Sequence, residues 1–132
     1  MVKRYVDGFE MRVFPFPDEH HAGIQHILAT KADTEGQINQ WARSVLMPGC
    51  AVPLHDHETT QEVFVMVSGY ALYNDNGVET VVGPGDVMYI PCGSKHAIAN
   101  PYNEPAVVFE LNMPATPVAD PKGGAAGPMG RV

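Results

Sequence analysis

Short apolar runs separated by turn residues extend along most of the chain, and no stretch sustains the 3.6-residue spacing of a helix. Runs of this kind, rich in Val, Ile, Leu and aromatic side chains, are typical of β-strands. The pattern therefore predicts strands at residues 24–29, 38–47, 51–57, 62–68, 70–74, 78–82, 86–91, 96–100 and 106–112.

Glycine, asparagine and proline mark the ends of these runs. The pair Asn76 and Gly77 predicts a tight hairpin, because both residues tolerate positive φ. A separation of about 8–12 residues between turns is typical of an all-β sandwich or barrel. Residues 1–20 are mixed, and Pro15 and Pro17 exclude a continuous central strand there.

Composition fits one globular domain. With 132 residues, 45% of them hydrophobic, the chain can fill a single core. Its 13 Gly and 12 Pro leave little room for long helices. We expect Cys50 and Cys92 to be free thiols, because a chain of this size needs no disulfide to fold.

The charge of the chain narrows the choice of partners. A formal net charge of −7 disfavours nucleic acid, whose binders present a basic face. No apolar run approaches the roughly 18–20 residues of a membrane-spanning helix. The N-terminal residues also lack the apolar segment of a secretory signal. We therefore expect a cytoplasmic protein with a small-molecule partner and neither a nucleic-acid nor a membrane partner.

The composition changes near the C-terminus. Residues 114–132 contain four Pro and four Gly and few large apolar side chains, so they cannot form a core alone. We therefore expect residues 1–113 to form the barrel domain. Residues 114–132 are expected to be an arm that packs on the barrel or on the partner subunit of a homodimer.

Three histidines and one glutamate carry the chemistry. His55 and His57 are two residues apart, which on a strand places both imidazoles on one face. Glu62 follows after a short turn and returns beside them, and His96 begins a later strand. A single strand histidine is usually structural, but these four together have the composition of a site for a first-row divalent metal.

The four residues lie within longer patterns. The first is G-x5-H-x-H-x4-E-x6-G from Gly49 to Gly69, and the second is G-x5-P-x-G-x2-H-x3-N from Gly85 to Asn100. Both resemble the two motifs of the cupin superfamily, with every defining position filled. The resemblance implies an all-β double-stranded β-helix, a jelly-roll barrel of the cupin type. It also implies one divalent transition metal ion (Mn, Fe, Ni or Zn) bound by His55, His57, Glu62 and His96.

Alternation from these four residues predicts the wall of a pocket. Phe64 and Met66 share the face of Glu62, and Ile98 shares that of His96. By the same rule Ala51 and Pro53 share the face of His55. This lining is small and apolar, which indicates a small-molecule substrate.

Four other side chains are candidates for catalysis. Arg43 shares one strand face with Trp41, and it would bind a substrate carboxylate if that face points inward. The opposite face carries Ala42 and Ser44. Near the metal, proton transfer is a candidate role for Tyr73, Tyr89 and His26.

The resemblance leaves the reaction open. The first hypothesis is a metal-dependent enzyme with decarboxylase-like or dioxygenase-like C–C bond chemistry on a small oxygenated organic acid or diketone. The second is an isomerase, lyase or polyketide-cyclase type of cupin that uses the same metal as a Lewis acid. The third is a non-enzymatic domain that senses a small molecule or a metal.

Overall fold

The computed structural model describes residues 2–4 and 8–115, and these form two antiparallel sheets that face each other. Two short 3-10 turns, Glu19–His21 and Ala32–Thr34, lie beside the second strand. The ten strands are β1 Glu10–Phe14, β2 Gly23–Thr30, β3 Gln40–Leu46, β4 Ala51–His55, β5 Thr60–Ser68, β6 Ala71–Asp75, β7 Val78–Val82, β8 Val87–Ile90, β9 His96–Ala99 and β10 Ala106–Pro114.

The chain crosses repeatedly between the two sheets. The larger sheet has the order β1-β2-β3-β10-β5-β8, and the smaller has the order β4-β9-β6-β7. Successive strands β3, β4 and β5 therefore lie in the larger, the smaller and again the larger sheet. This arrangement is the predicted double-stranded β-helix, and the all-β fold class is confirmed.

Alternation along the strands builds the core between the sheets. On β5, Glu62, Phe64 and Met66 are buried, whereas Val67 is exposed. Burial of the apolar faces removes apolar surface from water, which stabilises the fold by about 25 cal/mol per Å² and drives the sheets together. The buried cluster contains Leu46, Cys50, Phe64, Met66, Ala71, Tyr73, Val82, Met88, Ile90, Ile98, Ala106 and Val108.

The nine predicted strands are all present, and no end differs by more than two residues. Asn76 and Gly77 have positive φ angles of 50° and 95°, as the predicted hairpin requires. The first strand, β1, was not predicted. It pairs with β2 alone, so it is an edge strand of the sheet. It ends at Phe14, immediately before Pro15, because proline has no backbone N–H to continue the pairing.

A close approach between backbone and ring fixes the position of β1. Phe14 pairs in register with Gly23 on β2, and its ring lies where a side chain at residue 23 would begin. A Cβ at residue 23 would collide with the ring, so a larger residue there would displace the ring of Phe14.

The described part of the chain ends just beyond β10. Pro114 is still in the strand, and the amide of Ala115 donates a hydrogen bond to the carbonyl of Thr59, at 3.0 Å. The rest of the expected C-terminal arm, residues 116–132, lies outside the described residues. Cys50 and Cys92 are free thiols, as expected. Within the described ranges, no helical segment has the length and apolar character that a membrane crossing requires.

Candidate metal centre

Three histidine side chains converge at one end of the barrel. His55 is the last residue of β4 and pairs in register with His96, the first residue of β9, while His57 lies in the turn after β4. The ring centroids of His55 and His96 are 4.2 Å apart, and that of His57 is 4.9 Å from His55 and 5.4 Å from His96. One nitrogen of each ring lies within 4.8 Å of the others.

Glu62 reaches this cluster from the opposite sheet. Its Oε2 is 3.0 Å from Nε2 of His96, and its Oε1 is 3.5 Å from Nε2 of His57. The carboxylate is nearly buried, with 10% of the side chain exposed. The four residues singled out in the sequence are therefore brought together, three from one side of the barrel and one from the other.

Backbone carbonyls orient two of the imidazoles. Nδ1 of His55 is 2.7 Å from the carbonyl of Pro53, and Nδ1 of His96 is 3.1 Å from the carbonyl of Ser94. A carbonyl only accepts, so in each contact Nδ1 carries the hydrogen and donates it. In the neutral ring Nε2 then has a free lone pair, which is the form that binds a metal.

Two buried polar atoms of the cluster lack hydrogen-bond partners among the described residues: Nε2 of His96 and Oε2 of Glu62. Burial acts to lower the pKa of His96, but the contact with Glu62 and its negative charge outweigh this, and the net pKa is raised. Two acceptors that face each other require a proton or a cation between them. Three imidazole nitrogens and one carboxylate form a ligand set for Mn, Fe, Ni or Zn, so the residues fit a divalent metal.

Asparagines hold the carboxylate in place. Nδ2 of Asn112 donates a hydrogen bond to Oε1 of Glu62 at 3.0 Å, and Nδ2 of Asn39 donates to Oδ1 of Asn112 at 3.2 Å. Asn112 pairs in register with Glu62 across β10 and β5. The sequence interpretation missed Asn112, because the pairing of two strands 50 residues apart gives no local signal.

A cavity of about 220 Å³ adjoins the cluster. This is below the roughly 300–1,000 Å³ of pockets for drug-sized ligands, so its size suits a small molecule. Its lining comes from both sheets and from the N-terminal segment: Phe14, Phe16, Gln25, Val52, His55, His57, Glu62, Phe64, His96, Ile98 and Glu110.

The predicted pocket wall is partly corrected. Phe64 and Ile98 line the cavity, but Met66 does not and packs in the core one inward position further along β5. Val52 takes the place expected for Ala51 and Pro53. The pairing of β4 with β9 shifts between Val52 and His55, so strict alternation from His55 fails along β4.

Gln25 and Glu110 form a polar part of the lining that the sequence interpretation also missed. Nε2 of Gln25 donates a hydrogen bond to Oε2 of Glu110 at 2.8 Å. Burial raises the pKa of Glu110 to about 7, the charge of Glu62 adds to the shift, and the bond from Gln25 opposes it. Alternation along β10 could have indicated that Glu110 faces inward, because Glu110 shares its strand face with the buried Val108.

Arg43 and His26 point away from the cavity, which corrects two of the catalytic candidates. Ala42, Ser44 and Leu46 are the buried face of β3, so Arg43 lies on the outer face of the sheet. His26 pairs in register with Arg43 and shares that face. The condition for a carboxylate contact with Arg43 is therefore not met.

The two tyrosines proposed for proton transfer, Tyr73 and Tyr89, differ in burial. Tyr89 is 57% exposed on the outside of β8, where its hydroxyl donates to Oε1 of Gln61 at 2.9 Å, so it too lies away from the cavity. Tyr73 is buried inside the barrel but is not among the cavity-lining residues. Burial raises the pKa of Tyr73 to about 12, and the charges of Asp75 and Glu62 add to the shift, so the phenol is neutral at pH 7.

Residues 42–112, more than half of the chain and including all four residues of the cluster, match the cupin domain family. The chain belongs to the cupin family. An oxalate-binding protein of Thermotoga maritima is 33% identical over 80 residues, 61% of this chain and 65% of that protein. This cupin thus spans a little less than two thirds of that curated relative. A mannose-1-phosphate guanylyltransferase of Salmonella typhimurium is 30% identical over 76 residues, 58% of this chain and 16% of the enzyme.

Solved structures share the fold of this cupin. A predicted oxalate decarboxylase from Thermotoga maritima superposes with a TM-score of 0.76 at 24% identity, covering 86% of this chain and 99% of that one. An RmlC-like cupin from Shewanella frigidimarina has a TM-score of 0.68 at 18% identity, covering 87% and 92%. At these identities the likeness establishes the jelly-roll fold, and the chemistry has to be argued from the site itself.

Proposed function

We propose that this cupin binds one divalent transition metal ion through His55, His57, Glu62 and His96 and acts on a small oxygenated organic acid or diketone. The observation that carries the proposal is the convergence of three imidazole nitrogens within 4.8 Å of one another beside the carboxylate of Glu62, whose Oε2 is 3.0 Å from Nε2 of His96. Mn, Fe, Ni and Zn all suit this ligand set.

The chain's own residues prepare the site. The carbonyls of Pro53 and Ser94 fix the orientation of two imidazoles, and Asn112 fixes the carboxylate. Phe64 and Ile98 supply apolar surface to the neighbouring cavity. When bound, the ion would supply Lewis-acid stabilisation of the negative charge that develops beside a carbonyl group.

The relatives support a small acid as the ligand. An oxalate-binding protein is a partial relative of this chain, and a predicted oxalate decarboxylase has the same fold. The cavity of about 220 Å³ suits a compact molecule of this class. We therefore favour decarboxylase-like or dioxygenase-like C–C bond chemistry.

The test combines metal analysis with a panel of small acids. Protein purified without added metal is analysed for its elements and then incubated with keto, hydroxy and dicarboxylic acids and diketones, with and without oxygen. Carbon dioxide release without oxygen uptake supports a decarboxylase, and oxygen uptake supports a dioxygenase. Turnover with neither supports an isomerase or lyase, and saturable binding without turnover supports a sensor. A protein that takes up no divalent metal would refute the proposal.

A further inference from the structure

The cavity has an acidic group that the proposed metal does not use and that is ionised above about pH 7. Glu110 lines the cavity on β10, and its carboxylate is held by the amide of Gln25 at 2.8 Å. Glu110 pairs in register with Phe64, so both side chains project from the inner face of the larger sheet. A small ligand in the cavity lies next to this carboxylate.

No cationic side chain balances Glu110 within the lining, which contains neither Lys nor Arg among its described residues. Arg12 pairs in register with Gln25 on the neighbouring strand, but it is exposed. Its Nε donates to Glu10 at 3.0 Å, and its Nη1 donates to Gln40 at 3.1 Å. The guanidinium is therefore already engaged by Glu10 and Gln40, and Arg12 is not among the residues that line the cavity.

The charge balance limits what the cavity can accept. A divalent ion with Glu62 carries one net positive charge, which an ionised Glu110 cancels. One carboxylate on the ligand has the metal as its partner, whereas a second carboxylate would lie in the same small cavity as Glu110 with no cation beside it. Like charges in a partly desolvated site strongly disfavour binding. A hydroxyl group, by contrast, can donate a hydrogen bond to the carboxylate.

We propose that Glu110, positioned by Gln25, selects ligands with one carboxylate and a hydroxyl donor and rejects dicarboxylates. This inference rests on the proposed function and names the substrate class of the same site. It distinguishes this cupin from its oxalate-binding relative, because oxalate is a dicarboxylate without a hydroxyl group.

Glycerate and tartronate are the matched probes. Both are 2-hydroxy acids, and they differ only where glycerate has a hydroxymethyl group and tartronate has a second carboxylate. Calorimetry on Mn²⁺-loaded protein at about pH 8, above the pKa of about 7 that burial gives Glu110, compares the two dissociation constants. We expect glycerate to bind at least about tenfold more tightly. Equal affinities, tighter binding of tartronate, or binding of neither acid would overturn the inference.

The variant Glu110→Gln isolates the charge. The amide has nearly the same shape and removes the repulsion, so the preference for glycerate is expected to shrink to within about threefold. Glu79→Gln removes an equal charge from an exposed position on β7 and is expected to leave the preference unchanged. An unchanged preference in Glu110→Gln would assign the selectivity to other residues. If that variant does not fold, the wild-type comparison still decides.

The metal content of the protein separates the proposed function from the ligand selectivity assigned to Glu110. Full occupancy by Mn²⁺ with no discrimination between the acids overturns only the ligand assignment. Failure of the wild-type protein to take up any divalent metal overturns the proposed function and the ligand assignment with it.

Discussion

Nε2 of His96 and Oε2 of Glu62 lie 3.0 Å apart, although the two residues belong to opposite sheets. His96 is on β9 of the four-stranded sheet and Glu62 is on β5 of the six-stranded sheet. A cation held by both residues, with His55 and His57, would therefore connect the two walls of the barrel. Metal binding and stability should be linked.

Removal of the metal is expected to lower the melting temperature of the protein. A ligand present at about 1,000 times its dissociation constant stabilises the folded state by roughly 4 kcal/mol. For a domain of this size that corresponds to a fall of about 10 °C or more on treatment with EDTA. Thermal unfolding with and without the chelator measures this fall in melting temperature. A melting temperature that EDTA leaves unchanged, in protein shown to contain metal, would contradict the link.

Substitution of one imidazole should empty the site without unfolding the protein. His57 lies in a turn and is partly exposed, so His57→Ala leaves the core intact. We expect the metal content to fall at least about tenfold, since a ligand is lost outright. His20→Ala, at an exposed position outside the cluster, is the control. Near-stoichiometric metal in His57→Ala would count against the ligand set.

Asn112 is expected to act as a positioning residue for the carboxylate. Asn112→Ala removes the hydrogen bond to Oε1 of Glu62 and lets the carboxylate turn. Loss of such a contact typically weakens metal affinity by about 10–100-fold. Competition with a metal indicator measures the affinity, and Asn103→Ala, in an exposed loop, serves as the control. Equal affinities in the two variants would show that Asn112 does not orient the ligand.

The stability of the metal-free protein should fall as the pH rises from about 4.5 to about 7. The carboxyl of Glu110 titrates near 4.5 when unperturbed, and burial raises its pKa to about 7 in the folded protein. Between these values the folded state binds more protons than the unfolded state, so each rise in pH favours unfolding. Well above pH 7 the full penalty is present, on the order of 3 kcal/mol.

Urea unfolding of the wild type and Glu110→Gln at about pH 5 and about pH 8 tests this. Because the amide does not ionise, the variant should gain stability relative to the wild type at the higher pH. His96 titrates in both proteins, so the difference between them isolates Glu110. A difference that does not change with pH would mean that Glu110 is not buried as a neutral acid.

The homodimer expected from the sequence stays a prediction. The outer face of the six-stranded sheet exposes apolar side chains on β1, β3, β5 and β8, and exposed apolar surface of this kind can mark an interaction surface: Met11, Val13, Trp41, Val67, Val87 and Tyr89. A two-fold axis would place this face against its own copy.

Light scattering is expected to give twice the chain mass of 14.3 kDa. Val87→Lys places a charge on this face and should yield monomers. Val78→Lys, at an equally exposed position on β7 of the other sheet, should not. A wild-type monomer would refute the dimer.

Local patterns in the sequence were sufficient to predict the strands and to single out His55, His57, Glu62 and His96, which the structure brings together. Turn residues set the strand ends, and the spacing from His55 to Glu62 lies within one strand–turn–strand unit, so it could be interpreted without knowing the fold. Alternation separated the two faces of β3 but gave no means of deciding which face is inward, so the position of Arg43 relative to the cavity stayed open until the structure placed it outside.

Features that depend on distant strands could not be read from the sequence. Glu110 and Asn112 face the site because β10 pairs with β5, about 50 residues away in the chain. The shift in pairing between β4 and β9 substituted Val52 for Pro53 in the cavity wall, and an irregularity of this kind has no local signature.

Gly23 has a role in the cavity although it does not line it. The ring of Phe14 fills the place that a side chain at residue 23 would take, and the same ring borders the cavity. The room available to a ligand is therefore governed in part by a missing methyl group on a neighbouring strand. The size of ligand that the cavity accepts can therefore change through a residue that does not line it.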